Sequence, residues 1–337
     1  MSEKTVAVLG ATGVVGQQML QCLEERSFPV GRLVPLASER SAGKTVRFAG
    51  EDVPCQVACP EAFEGVDIVL GAADDATARE LLPEAARRGA VCVDNSHAFR
   101  LDPDVPLVVP EINAADIANH PRGIISNPNC ATIIGLVPVW PLHQAAGVKR
   151  LVVSTYQAAS GAGIAGMREL EREQRALAAG EPVGETAPFA YQLAENLIPQ
   201  IGGFNEEGYT SEEMKMLNEG RKIMHLPELR VNCTCVRVPV VRSHSESITA
   251  EFERPLSVGE ARELLAAAPG VKLVDDPSAL RYPMPLETSD QDLIWVGRLR
   301  RDLSAPEGVN ALTFWCCGDQ IRKGAATNAV QIAEYLL

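Results

Sequence analysis

Residues 5–9, Thr-Val-Ala-Val-Leu, form an uninterrupted apolar run. It breaks at Gly10-Ala11-Thr12-Gly13-Val14-Val15-Gly16, and apolar residues return at helical spacing at Met19, Leu20 and Leu23. A buried strand, a glycine turn and a helix in that order build a phosphate cradle. The glycines let backbone approach a pyrophosphate, and the helix N-terminus faces the anion. The spacing is G-x-x-G-x-x-G rather than G-x-G-x-x-G, and a plain βα turn is the competing explanation. On the nucleotide reading, the loop from Gly10 through Thr12 and Gly13 to Gly16 is the phosphate cradle.

A second strand at 33–37 ends at Ser38-Glu39-Arg40-Ser41, where Arg40 flanked by Ser38 and Ser41 suits a ribose 2′-phosphate and hence NADP. Glu39 points the other way, towards a free 2′-hydroxyl. Further strand–helix units follow at 66–71 with 76–88, and at 90–94 with the segment reaching Arg100. Strands alternating with helices predict an α/β chain whose N-terminal domain is doubly wound (Rossmann-type), with ligands at the carboxyl ends of its strands. Arg100 lies in such a strand-end loop, where a guanidinium can grip a phosphate or carboxylate with two prongs.

At 337 residues the chain is long for one core, so two domains are expected. The balance of 31 basic and 44 acidic side chains gives a net charge of −13, which disfavours nucleic acid and anionic membranes as partners. No apolar run approaches the ~20 residues of a membrane span, and the N-terminus enters a strand at once, so a cytoplasmic protein is expected. Nine cysteines with no C-x-x-C pair suit reduced thiols, and five scattered histidines argue against a metal site.

Ser126-Asn127-Pro128-Asn129-Cys130-Ala131-Thr132 joins an apolar strand to a helix-compatible run, which puts Cys130 at a helix N-terminus. Unpaired N–H groups and the helix dipole favour a thiolate there, the form that acts as a nucleophile. Beyond it, a β-branched strand from 151 ends at Gln157, which can orient a substrate, and Ser160-Gly161-Ala162-Gly163 leaves room for a flat ring before a helix at 167–179. Residues 180–209, with Pro182, Pro188 and Pro199, read as a long irregular excursion of the kind that forms interfaces or covers sites.

Thr210-Ser211-Glu212-Glu213 opens a helix, and Glu213 is equally a capping-box residue or a substrate contact. Lys215 either snorkels or binds phosphate. Runs at 231–241 and 247–252 are expected to be antiparallel neighbours enclosing a polar turn that holds His244, the best general-base candidate. His225 reads as a helix C-terminal cap. Arg237, inside an apolar strand, is costly to bury without an anion and is a candidate carboxylate clamp. A terminal helix through 332–337 needs a surface to cover, expected in the nucleotide domain.

Seven segments, G-A-T-G-V-V-G at 10–16, L-A-S-E-R-S-A-G at 36–43, S-N-P-N-C-A-T at 126–132, Y-Q-A-A-S-G-A-G at 156–163, E-E-M-K-M at 212–216, R-V-P-V-V-R-S-H at 237–244 and R-K-G-A-A at 322–326, together resemble the aspartate-semialdehyde dehydrogenase family over nearly the full length. The resemblance implies an NADP domain of residues 1–130 with 319–337, and an α+β substrate and dimerisation domain of residues 131–318. It implies Cys130 as nucleophile, His244 as acid/base and Gln157 as the group orienting the acyl carbon. Arg237 with Glu213 would hold the substrate carboxylate, while Arg100, Asn129 and Lys215 would line a phosphate position. Gly13, Val14, Val15, Gly16, Arg40, Ser41, Ser160, Gly161 and Gln320 would contact NADP.

The expected reaction is NADPH-dependent reductive dephosphorylation of β-aspartyl phosphate through a thioester, in a homodimer or tetramer acting on small molecules only. Acetylglutamyl-phosphate reductase and a catalytically silent NADP-binding relative are the rivals. The first should carry Gly before the cysteine and an aromatic after it, where this chain has Asn129 and Ala131. His97 stands where a small hydroxyl is expected, and Ala72-Ala73-Asp74-Asp75 replaces a more glycine-rich loop.

Overall fold

The computed structural model describes residues 2–337. The chain divides into two compact units, one of Met1–Asn129 with Gly324–Leu337 and the other of Cys130–Lys323.

In the first unit the strands are β1 (Lys4–Leu9), β2 (Val30–Ala37), β3 (Thr45–Phe48), β4 (Glu51–Pro54), β5 (Gln56–Val57), β6 (Ile68–Gly71), β7 (Val91–Asp94) and β8 (Ile124–Ser126). Six of them make one parallel sheet in the order β5-β2-β1-β6-β7-β8, and β3 pairs with β4 as a separate hairpin. The doubly wound arrangement follows from β1, which is apolar on both faces. Val6 and Val8 pack with Met19, Leu20 and Leu23 of α1 (Val14–Glu25), while Ala7 and Leu9 pack with Leu81, Leu82 and Ala85 of α2 (Asp75–Arg87).

The terminal helix forms at Thr327–Glu334, earlier than its apolar run suggested, and adds Ala329, Val330 and Ile332 to the α1 side of this core. Asp74 is the N-cap of α2, accepting from Thr77 N at 3.0 Å. That gives one of the two unexpected acids a structural job.

The second unit contains β9 (Val148–Gln157), β10 (Arg230–Arg237), β11 (His244–Phe252), β12 (Val271–Leu273), β13 (Ile294–Arg301) and β14 (Asn310–Gly318), ordered β10-β9-β11-β14-β13-β12. Here the sequence expectation fails on one point. The two β-rich runs are not neighbours, because β9 lies between them, parallel to β10 and antiparallel to β11. The six-residue link, 238–243, carries the chain across β9 rather than back alongside β10. The sheet packs on the helix Cys130–Ala146, which is apolar on every side and buried without a break from Ala131 to Val139.

Residues 180–209 form neither helix nor strand, as expected. Buried Glu173 anchors this excursion by accepting from the Leu193 and Ala194 amides at 2.9 and 2.7 Å. Further along, Ile198 exchanges two backbone hydrogen bonds with Arg237.

Candidate active site

Cys130 is the first residue of its helix, and no acidic side chain occupies the first turn, whose positive dipole end faces the thiol. Its Sγ lies 3.5 Å from His244 Nε2. His244 is not in a polar turn as the sequence suggested. It opens β11, is fully buried, and registers opposite Gly318. Ser243 before it takes φ 73, a left-handed kink that feeds the chain into the strand, and its amide is held by Gln320 Oε1 at 2.9 Å. His244 Nδ1 accepts the Ala158 backbone N–H at 3.0 Å. Burial first, then the Arg237 charge, push its pKa down to about 3.

Gln157 and Arg237 end the parallel strands β9 and β10 directly opposite each other, at carboxyl ends where open sheets collect ligands. Gln157 Nε2 donates to Glu212 Oε1 at 3.1 Å, and its Oε1 accepts from Thr155 Oγ1 at 3.0 Å. Arg237 is buried and donates from Nη1 to Ala158 O at 2.6 Å, with the Phe189 ring 5.8 Å from its guanidinium carbon. Burial lowers its pKa, offset by the nearby Cys130, Glu212 and Cys235. Beyond it lies a cavity of about 220 Å³ lined by Arg237, Phe189, Ile198, Gln200 and Gly202.

The structure corrects Glu213. Both its oxygens are taken by backbone donors: Oε2 by Thr210 N at 2.7 Å in a complete capping box, and Oε1 by Cys235 N at 3.0 Å. Glu212 is the residue that faces the site, bonded to Gln157 and ion-paired with Lys215 at 2.8 Å. The sequence did hold a signal, since Glu212 and Lys215 are three apart on the helix Ser211–Ile223 while Thr210 already claims Glu213. His225 follows the helix end with φ 54, as a C-terminal cap residue should.

The remaining site residues divide between the units. Ser160, Gly161 and Gln320 lie in the second, where Gln320 Nε2 donates to Ser160 Oγ beside the Ser243 amide. In the first, Arg100 is buried and donates to Asn95 O at 2.7 Å, and Asn129 is the buried residue just before Cys130.

Gly10, Thr12 and Gly13, together with Ser38, line a cleft of about 430 Å³ at the carboxyl ends of β1 and β2. The cleft fits a dinucleotide phosphate. A Cβ at Gly10 would lie 2.6 Å from Ala72 O, and one at Gly16 would lie 2.3 Å from Gly10 O, so the glycines permit this backbone approach. The first turn of α1 carries no acid and no side-chain cap, leaving its amides free for an anion. Val14 and Val15 open that helix, and Arg40 and Ser41 sit in the short 3₁₀ turn after β2.

A doubly wound nucleotide unit joined to a unit that sets a thiol beside an imidazole at a helix start is the arrangement of a dehydrogenase. Residues 5–120 match the family "Semialdehyde dehydrogenase, NAD binding domain" and residues 139–323 match "Semialdehyde dehydrogenase, dimerisation domain". The chain belongs to the aspartate-semialdehyde dehydrogenase family.

It is 50% identical to the aspartate-semialdehyde dehydrogenase of Synechocystis sp. over 98% of this chain and 97% of that one. Against the enzyme of Bacillus subtilis it is 48% identical over 98% and 96%. Among solved structures, Vibrio cholerae aspartate semialdehyde dehydrogenase II, complexed with ASA, superposes with a TM-score of 0.96 at 44% identity, covering 100% of this chain and 98% of that one. The Candida albicans enzyme with NADP gives 0.78 at 25% identity, covering 99% and 98%.

Proposed function

We propose that this chain catalyses the NADPH-dependent conversion of β-aspartyl phosphate to aspartate semialdehyde and phosphate through a thioester on Cys130. The observation that carries it is the Cys130–His244 contact at a helix N-terminus, at the strand ends that also present Gln157 and Arg237. The Cys130 thiolate attacks the acyl carbon, the S–C bond forms, and the C–O bond to phosphate breaks with its electron pair leaving on phosphate. Gln157, held on both sides by Thr155 and Glu212, orients the acyl group, and His244 serves the charge and protons at the sulfur.

Arg237 clamps the substrate carboxylate, and Arg100, Asn129 and Lys215 line the phosphate position. When bound, the cofactor supplies the hydride that reduces the thioester. Gly10 to Gly16 and Ser38 to Ser41 hold its phosphates, and Arg40 with its serine neighbours selects NADP. Ser160, Gly161 and Gln320 contact its nicotinamide half.

The similarity to a dimerisation domain supports assembly as a homodimer. Nine free cysteines suit a reducing compartment such as the cytoplasm.

The test follows NADPH formation with phosphate, NADP and either aspartate semialdehyde or N-acetylglutamate semialdehyde. Activity with only the second, or with neither, overturns the assignment. Cys130→Ser should retain NADP binding and lose turnover, and appreciable residual activity would remove Cys130 as the nucleophile.

A further inference from the structure

We infer that Phe189 is a positioning residue: carried on a strap fastened to the second unit, its ring holds the Arg237 guanidinium in the orientation that grips the substrate carboxylate. The inference deepens the function proposed above and rests on its assignment of Arg237 as the clamp.

The strap belongs to the irregular excursion 180–209, and three side chains of the preceding helix, Gly163–Ala179, fasten it. Glu169 Oε1 accepts the Ala187 N–H at 3.1 Å. Arg172 donates to Val183 O and, at 2.9 Å, to Glu185 O, while Glu173 accepts from Leu193 and Ala194. Spaced three and four apart, these side chains share one face of the helix. Loop backbone ordinarily turns to water, whereas here charged groups take it up in the stronger class of hydrogen bond.

The strap leads to Arg237. Ile198 and Arg237 exchange backbone hydrogen bonds at 3.0 and 2.8 Å, so the strap pairs with β10 at the clamp residue itself. Phe189 lies between the fastened points Ala187 and Leu193, with its ring centroid 5.8 Å from the guanidinium carbon. The helix makes room for that ring at Gly166, where a Cβ would lie 3.1 Å from Phe189 Cζ.

Arg237 is buried, and burial works against its charge. The Nη1 bond to Ala158 O fixes a point of the fork, and a plane needs a second constraint. An aromatic face supplies it. The face attracts the cation, more strongly where water is excluded, and offers no oxygen to compete with a carboxylate for the guanidinium donors. Pro188, Ile198 and Ile201 give the adjoining cavity an apolar wall, which strengthens the pairing of a bound carboxylate with Arg237.

The test separates the π face from mere bulk. In the full-length enzyme, Phe189→Leu keeps much of the volume and loses the face. We expect KM for aspartate semialdehyde to rise about 5- to 30-fold, with kcat within about twofold and the KM values for NADP and phosphate unchanged. Site-specific replacement of Phe189 by 3,5-difluorophenylalanine keeps the shape and weakens the face, and should raise the same KM about two- to fivefold. A wild-type KM with the fluorinated ring, a loss carried by kcat, or a rise shared by all three substrates overturns the inference.

A second readout uses no substrate. Cys130 is half-buried and its charge faces Arg237, so the rate of its alkylation by iodoacetate relative to iodoacetamide, read by mass on the Cys130 peptide, reports the grip of Arg237 on a carboxylate. The ratio should fall in Phe189→Leu and in Arg237→Gln, and no further in the double variant. A ratio untouched by Phe189→Leu, or losses that add in full, would show that Phe189 does not act through Arg237. If aspartate semialdehyde is not turned over while this pattern holds, the assigned reaction is removed and the pairing of Phe189 with Arg237 stands.

Discussion

Gly161 packs against Arg237 so closely that a Cβ there would lie 2.8 Å from Nη1, with His244 Cε1 at 3.3 Å. The glycine that the sequence offered as space for a cofactor ring also makes room for the guanidinium and the imidazole. Nη1 cannot retreat cheaply, because it donates to Ala158 O at 2.6 Å and the side chain is buried. For Gly161→Ala we expect overpacking of about 1–3 kcal/mol, expressed as a roughly ten- to hundredfold fall in kcat/KM. Steady-state kinetics with aspartate semialdehyde would check this, and wild-type values would mean the alanine is accommodated without moving Arg237.

Arg237→Lys should raise KM far more than it lowers kcat. A two-pronged clamp becomes a point charge, and the bond to Ala158 O, which fixes the fork, is lost. A charge-assisted hydrogen bond is worth about 2–3 kcal/mol, so KM should rise roughly 30- to 150-fold. An unchanged KM would take Arg237 out of the substrate site.

Neighbouring glutamates should separate cleanly. Glu213→Ala breaks the capping box and strands the Cys235 amide, so it should destabilise the fold by about 1–3 kcal/mol, read as a lower Tm, with KM near wild type. Glu212→Ala leaves Gln157 and Lys215 without their anchor, so kcat/KM should fall while the capping box survives. The reverse pattern, with Glu213 controlling kinetics and Glu212 controlling Tm, would return Glu213 to the substrate role that the family resemblance implied.

The three cases mark where the sequence was legible. Cys130 could be placed at a helix start because Pro128 and the apolar run are local signals, and β1 could be placed in a two-faced parallel sheet because it has no polar side. The burial of His244 could not be read, because its polar neighbours Arg242, Ser243 and Ser245 imitate a turn. What overrides them is pairing with β9 and β14, drawn from segments about 70 to 90 residues away. The order of the second sheet was missed for the same reason, since adjacency in sequence says nothing about a strand inserted between. Glu212 was passed over because a capping box explains one glutamate of an adjacent pair without saying what the other does.

Two residues beyond His244 on the same strand, Glu246 is fully buried and neither of its carboxyl oxygens has a hydrogen-bond partner among the described residues. It fits only because Gly135 has no side chain, as a Cβ there would lie 2.6 Å from Glu246 Oε2. Burial, reinforced by Cys235 and Glu212, holds its pKa well above the ordinary glutamate value, so the folded protein keeps a proton that the unfolded chain releases near about pH 4.3. The sign follows. Stability from this group is intact below the unfolded value and is lost progressively as pH rises towards the folded-state pKa. In Glu246→Gln the side chain is neutral at every pH, so its Tm should decline less than wild type across that window, with the gap opening in favour of glutamine as pH rises. Melting curves of both proteins from acid to alkaline pH decide it, and parallel slopes would show that Glu246 does not carry the proton.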